Sequence, residues 1–209
     1  MQHLNLPQST HDLVTFRQLT RKDATAWYEY LSIPKVLEHT SWSLRSVDDL
    51  MPIFDSYESP DPSSQVRLAV ILRDSGQLVG TVGFHSVSAL NRTAELAYDL
   101  APQIWGKGVG ASICKSSTEW ALSSLGMVRV QATVLESNAR SIRVLEKCGF
   151  AREGYLHCFR MVRGEPGNFW IYSRIRGRWT FGLRIPRWML SPPRRPTEPS
   201  GSNMGMPHC

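Results

Sequence analysis

The segment Gln103 to Ala111, QIWGKGVGA, carries the clearest chemical signal in this chain. Glycines at 106, 108 and 110 allow a sharp turn that exposes successive backbone N–H groups, and an amphipathic helical pattern follows directly. Those donors therefore fall at a helix N-terminus, where the dipole and the missing intrahelical partners favour an anion such as a pyrophosphate. The spacing is not the G-x-G-x-x-G of dinucleotide sites, because Ala111 directly follows Gly110, and it is not the G-x-x-x-x-G-K-[ST] of a P-loop. By itself such a turn serves structure as readily as phosphate binding. A second segment, Asn138 to Phe150 (NARSIRVLEKCGF), begins with an asparagine that can cap its own helix or present its amide to a ligand. Other reactive types offer less: His39, His85 and His157 have no partner at metal-ligand spacing, and Cys148 lies at a helix end before Gly149-Phe150, where a core role fits better than a nucleophile's.

The elements that must position these residues alternate between strand and helix periods. Leu13 to Leu19 reads as a strand, Asp23 as the N-cap of a helix through Leu31, and Ser46 with Asp49 as a capping box opening a helix through about Tyr57. Val66 to Arg73 and Gln77 to Val87 form a hairpin about Asp74-Ser75-Gly76, with Ala94 to Leu100 as a third antiparallel strand. A helix from about Gly108 to Leu125 follows, its buried face holding Ala111, Cys114, Thr118, Ala121, Leu122 and Leu125. A strand Val128 to Leu135, a helix Ala139 to Cys148 stopped by Gly149, and strands near Gly154 to Val162 and Phe169 to Ile175 complete the pattern. The fold class is α+β, a mostly antiparallel sheet with helices on both faces.

Three strands leading into a W-G-K-G-x-G turn, then a strand, an Asn-led helix and Gly-Phe, together resemble the GCN5-related N-acetyltransferase (GNAT) family over roughly residues 12–175. The likeness is greatest to the branch that acetylates ribosomal-protein N-termini, which often has a tryptophan at the position of Trp105. Leu145 departs from the pattern, since many relatives carry a general-acid tyrosine there. The resemblance implies acetyl-CoA as co-substrate and no metal. It places the cofactor where the strand Ala94–Leu100 splays from Val128–Leu135, with pantetheine on the backbone of Leu100 and Ala101 and pyrophosphate on the N–H groups of Trp105, Gly106, Lys107, Gly108, Val109, Gly110 and Ala111. Asn138 would touch the pantetheine or the amine.

An amine attacking a thioester needs a neutral nitrogen, a stabilised oxyanion and a protonated leaving sulfur. An α-amine of pKa ~8 is already ~10% neutral at pH 7, so a carboxylate working through water suffices. The resemblance points to Glu95 as that base, with a solvated strand glutamate as the alternative. Ser141 is the candidate acid in place of the missing tyrosine, with Tyr98 in reserve and also lining the acceptor site. His39 and Trp42, in the segment Pro34 to Trp42, would line the acceptor mouth.

Charge and composition set the remaining bounds. From Arg174 onward seven arginines face the single acid Glu198, so the net charge of +6 belongs to a Pro-rich tail and the body is neutral. Nucleic acid is therefore an unlikely partner except weakly through that tail. The expected organisation is an extension over 1–11, an acetyltransferase domain over 12–175 and a disordered basic tail over 176–209. No apolar run is long enough for a membrane span, the opening residues lack a secretory pattern and four cysteines show no paired spacing, which together favour a soluble cytoplasmic protein, with a homodimer allowed. The partners expected are acetyl-CoA and an amine acceptor, foremost a protein or peptide N-terminus. Alternatives are a small amine, amino acid or antibiotic as acceptor, or a non-catalytic acyl-CoA-binding module.

Overall fold

The computed structural model describes residues 6–40, 44–59, 61 and 64–177. The strands are β1 (Val14–Gln18), β2 (Val66–Leu72), β3 (Leu78–Ser88), β4 (Thr93–Leu100), β5 (Arg129–Leu135), β6 (Ala151–Val162) and β7 (Glu165–Ile175). The helices are α1 (Ala24–Leu31), α2 (Pro34–Leu37), α3 (Met51–Glu58), α4 (Val109–Ser123) and α5 (Ala139–Lys147). One seven-stranded sheet runs in the order β1-β2-β3-β4-β5-β7-β6. Every neighbouring pair is antiparallel except β4 and β5.

Strand alternation sorts the core into two layers. Leu68 and Val70 of β2 pack with α4 and α5 on one face, whereas Ala69 and Ile71 pack with α1 and α3 on the other. Helix α4 is buried over a wider arc than an amphipathic stripe requires. Ile113, Ser117 and Trp120 are enclosed along with Cys114, Thr118, Ala121 and Leu122, while Ala111 and Leu125 are only partly covered. The cause is that α4 lies on the sheet and beside α5 together.

Local capping is partly as expected. Ser46 and Asp49 form their capping box, around a 3-10 turn that leads into α3. Asp23, expected to cap α1, makes no cap bond to it. Its carboxylate instead accepts from the Thr20 amide at 2.8 Å and from Arg17 at 2.6 and 2.7 Å, closing the turn before the helix.

The feature that shapes the site is the short pairing of β4 with β5. Only Thr93↔Arg129, Ala94↔Val130 and Glu95↔Gln131 are matched. Beyond them β4 stays with β3 as far as Leu100↔Gly80, and β5 stays with β7 as far as Leu135↔Phe169. The splay thus opens just past Glu95, and a wedge runs along the second half of β4. Residues 6–11, read as an extension, lie against the body: Leu6 packs on the core and His11 bonds the carbonyl of Lys107 at 2.9 Å. Trp42 and the tail beyond Gly177 lie outside the described residues. Among the described residues no helix is long and apolar enough to cross a membrane.

Candidate active site

The wedge has backbone groups to offer. Ala101 donates its N–H to Val79 at 2.8 Å, and by antiparallel alternation Asp99, Ala97 and Glu95 also turn towards β3. Leu96 spends its N–H on the last pair with β5, so the Leu96 C=O and the backbone groups of Tyr98 and Leu100 are directed into the gap. The N–H of Ala101 is not free for a pantetheine amide as the sequence suggested. The carbonyl of Leu100 already accepts the Trp105 indole N–H at 2.7 Å. That bond explains a tryptophan here, since it folds the turn back onto the end of β4. Arg140 of α5 then stacks on the indole, 4.7 Å from the ring.

The glycine turn opens at the same end of the wedge. Gly106 and Gly108 have φ of +77° and +82°, which only glycine adopts without strain. A Cβ on Gly106 would meet nothing, so the turn presents bare backbone to solvent. Gly110 differs: it faces the packing of α4 on α5 and β4, where a Cβ would make ordinary contact with Val144 and Leu100 at 3.5 and 3.6 Å. No side chain caps α4, which leaves its first N–H groups open to an anion. Lys107 supplies the carbonyl that His11 holds, and the Val109 side chain is fully buried.

On the α1–α3 face of the sheet, at the mouth of the wedge, lies the Glu95 carboxylate, its side chain 5% exposed. It accepts from the Thr133 hydroxyl at 2.6 Å, Arg160 Nη2 at 3.1 Å and Gln131 Nε2 at 3.5 Å, and His85 Nε2 stands 3.9 Å away. Gln131 is oriented by Arg129, itself held in a two-pronged pair by Glu153. Burial works against charge on Glu95, but the Thr133 hydroxyl, His85, Arg160 and the Gln131 amide outweigh it and hold the carboxyl below its usual range. Burial also pushes His85 down, with Glu95 opposing and Arg160 adding to the effect.

Tyr98 and Ser141 occupy the opposite face. Residues 95 and 98 differ by an odd number, so their side chains leave β4 on opposite sides, and Tyr98 packs against the α4–α5 layer rather than beside Glu95. Its hydroxyl is buried, without a hydrogen bond of good geometry among the described residues. Burial raises its pKa well above the ordinary value, Cys114 adds to this and the Ser141 hydroxyl beside it pulls back. Asn138 caps α5 by accepting from the Ser141 amide at 3.0 Å, leaving its NH2 donors without a partner among the described residues. Leu145 is buried core and Cys148, also buried, donates to the Ala111 carbonyl.

The rim of the mouth is tied from two sides. His39, after α2, meets Ser137 at 3.4 Å, and Arg163 in the β6–β7 turn donates to the carbonyls of Leu37 and Glu38 at 2.8 and 2.6 Å. Glu95, Asn138, Ser141 and His39, candidates on sequence, are gathered about the wedge by the fold. Thr133, Gln131 and Arg160 carry no such signal in the sequence, where His85 looks like an ordinary histidine. The hairpin register that sets His85 opposite Glu95 was the signal that could have recovered that residue.

An uncapped helix end behind a bare glycine turn, a strand edge with unpaired amides and an orphaned hydroxyl at the gap together fit a long ligand with a phosphate end and an amide-bearing arm. Residues 14–151 match the family described as an acetyltransferase (GNAT) domain. The uncharacterized N-acetyltransferase YoaA of Bacillus subtilis (strain 168) is 28% identical over 169 residues, spanning 80% of this chain and 96% of its own length. The crystal structure of spermidine N-acetyltransferase from Vibrio cholerae in complex with CoA and spermine superposes with a TM-score of 0.71 at 19% identity, covering 79% of this chain and 97% of that one. The ribosomal-protein-S5-alanine acetyltransferase of Vibrio fischeri superposes with a TM-score of 0.70 at 17% identity, covering 84% and 99%.

Proposed function

The chain belongs to the GNAT acetyltransferase family and is an N-acetyltransferase; from that premise we propose that it transfers the acetyl group of acetyl-CoA to an N-terminal α-amine of a protein or peptide. What supports this choice of acceptor is the setting of Glu95, a carboxylate at the mouth whose oxygens already accept from Thr133, Arg160 and Gln131. A carboxylate so engaged is a weak base, which helps an amine that loses its proton readily. An α-amine of pKa ~8 meets that condition, whereas a lysine ε-amine near ~10.4 does not.

Acetyl-CoA supplies an activated acyl carbon on a thiol leaving group. The chain's residues do the rest. The turn at Gly106–Gly110 and the first amides of α4 hold the phosphates, and the gap-facing backbone of Leu96, Tyr98 and Leu100 with the NH2 of Asn138 holds the amide arm. Glu95 receives the incoming ammonium, orients the nitrogen and passes its proton to solvent. The nitrogen adds to the thioester carbonyl carbon, and as the oxyanion collapses and the C–S bond breaks, Tyr98 or Ser141, on the other side of β4, returns a proton to sulfur. Base and acid thus reach one gap from opposite faces of the sheet, one near the amine and one near the sulfur.

Thiol release from acetyl-CoA is the test, with peptides of free N-terminus, the same peptides Nα-blocked but bearing lysine, and spermidine as acceptors. Free N-termini should be acetylated and the blocked lysine peptides should not. Preference for lysine or spermidine would overturn the choice of acceptor, and binding of acetyl-CoA without release from any amine would make the protein an acyl-CoA-binding module.

A further inference from the structure

Arg160 enters the acceptor side by an irregular route. The β6–β7 ladder slips between Leu156 and Arg160, Cys158 has φ of +46°, and Asn168 of β7 accepts the Cys158 amide at 3.0 Å. Bulges of this kind re-aim a side chain, and here Arg160 reaches from the outermost strand across to Glu95 on β4. Its guanidinium lies 4.8 Å from the ring of Phe159 and 5.9 Å from that of Phe169, which hold its plane. One N–H of Nη2 is bonded to Glu95; the other four donors have no hydrogen-bond partner among the described residues, and the side chain is 32% exposed. The other arginines around the mouth are engaged: Arg129 by Glu153 and Gln131, and Arg163 by two carbonyls.

We propose that Arg160 reads the acceptor, and that the acceptor is an α-amine with a carboxylate a few bonds from its nitrogen, as at a peptide beginning with aspartate or glutamate. The amine takes the place at Glu95 Oε1 that Arg160 holds in the free protein, and the carboxylate takes the open donors of the guanidinium. Two opposite charges 3.1 Å apart match two opposite charges on one small residue. Planar, multi-donor recognition of a carboxylate is what arginine does and lysine does not. A polyamine would instead bring several cations to a mouth where the Glu95 carboxylate already faces Arg160. This inference rests on the α-amine reading above. A free α-amino acid presents the same pair of charges.

The experiment compares kcat/KM for peptides alike except for a first residue of Asp, Glu, Ala or Lys, for free aspartate and glycine, and for spermidine, with the parent and with Arg160→Met, Arg160→Lys and Arg160→Glu. The parent should prefer acid-bearing acceptors about tenfold or more, and whether peptide or free amino acid leads identifies the source. Arg160→Met should erase the preference through KM, Arg160→Lys should restore part of it, and Arg160→Glu should turn it towards the Lys-initial peptide. Acetyl-CoA binding by calorimetry shows that each variant is folded. Equal turnover of Ala- and Asp-initial peptides by the parent, or a preference that survives Arg160→Met, overturns the role of Arg160 and leaves the transferase reading standing. Silence from every acceptor overturns both.

Discussion

The Thr133 hydroxyl donates to Glu95 Oε1 at 2.6 Å, bridging β4 and β5 at the point where their pairing ends. The bond does two things at once: it pins the carboxylate at the opening of the wedge and it stabilises the charged form. Glu95→Gln should lower turnover roughly a hundredfold with little change in acetyl-CoA affinity, because the side chain faces away from the phosphate cradle. Since the Glu95 carboxyl is held low, it stays ionised at every pH above the ordinary carboxylate range, and the acid limb of the parent pH–rate profile should follow the acceptor amine. The Gln variant should recover towards the parent above pH ~8, where the amine is neutral without help. Thr133→Val should shift the profile in the same sense but less. An unaltered profile in Glu95→Gln would remove Glu95 from the mechanism and leave positioning as the source of rate.

Tyr98 offers a substitution in which stability and chemistry separate. Its hydroxyl is buried with no well-formed hydrogen bond among the described residues, so Tyr98→Phe removes a poorly satisfied group and should leave the unfolding midpoint unchanged or higher. Any loss of turnover in that variant is therefore loss of a proton donor. Ser141→Ala should act in parallel, and both should stay slow across the pH range below ~8.5, where the leaving thiolate needs a proton. If Tyr98→Phe keeps full turnover and Ser141→Ala does not, the serine alone is the acid.

The glycine turn should respond position by position. Gly108→Val forces a β-branched residue to φ of +82° and should weaken acetyl-CoA binding several-fold or more, measured by calorimetry. Gly110→Ala places its Cβ at ordinary contact distance from Val144 and Leu100 and should bind almost as the parent does. Comparable losses at both positions would mean that Gly110, too, must leave room for phosphate.

Much of this arrangement was legible in the residues, for identifiable reasons. Period-two alternation and the turns at Gly76 and Asn91 located β2, β3 and β4, and the Gly-rich turn before α4 announced its own geometry. What escaped depended on three dimensions. The opposition of Tyr98 and Glu95 follows from alternation once β4 is taken as a strand between two helical layers, yet both residues fall on one short segment and so read as one lining. Where β4 parts from β5 is set by competing ladders to β3 and β7, which no local pattern records. Arg160 reaches Glu95 only because of a bulge fixed by Asn168, ten positions from the amide it holds. Asp23 looked like a helix cap because nothing local reveals that Arg17 competes for its carboxylate.

That competition predicts a pH effect on stability. Burial opposes the charge on Asp23, but Arg17 and the Thr20 amide outweigh it, so its folded pKa lies below the unfolded value. A carboxyl depressed on folding adds stability above its unfolded pKa of ~3.9, and that stability drains as pH falls through the folded value. Asp23→Asn should therefore lower the unfolding midpoint at neutral pH by an amount that shrinks below pH ~4. A deficit that stays constant with pH would assign the loss to packing.

The strongest stability effect should come from Asp99, on the same face of β4 as Glu95. Its carboxylate accepts from Trp27 Nε1 at 3.2 Å, Tyr30 at 2.5 Å, Thr81 at 2.8 Å and the Arg67 guanidinium, all of it buried. Removing one partner strands the other's charge in an apolar layer, at a cost of about 3–5 kcal/mol. Arg67→Met should thus lower the unfolding midpoint by roughly 10 °C, and Asp99→Leu alone by a similar amount. The double variant should lose much less than the sum, since neither charge is then left unpaired. Trp27 and Tyr30 also fasten α1, and with it the α2 rim that Arg163 clasps, to the strand that bears Glu95. Asp99→Asn, where it folds, should therefore raise KM for the acceptor while acetyl-CoA affinity holds. Thermal unfolding by circular dichroism with steady-state kinetics decides the matter: strictly additive single effects would show that Arg67 and Asp99 act separately, and an unchanged acceptor KM would detach the rim from the buried cluster.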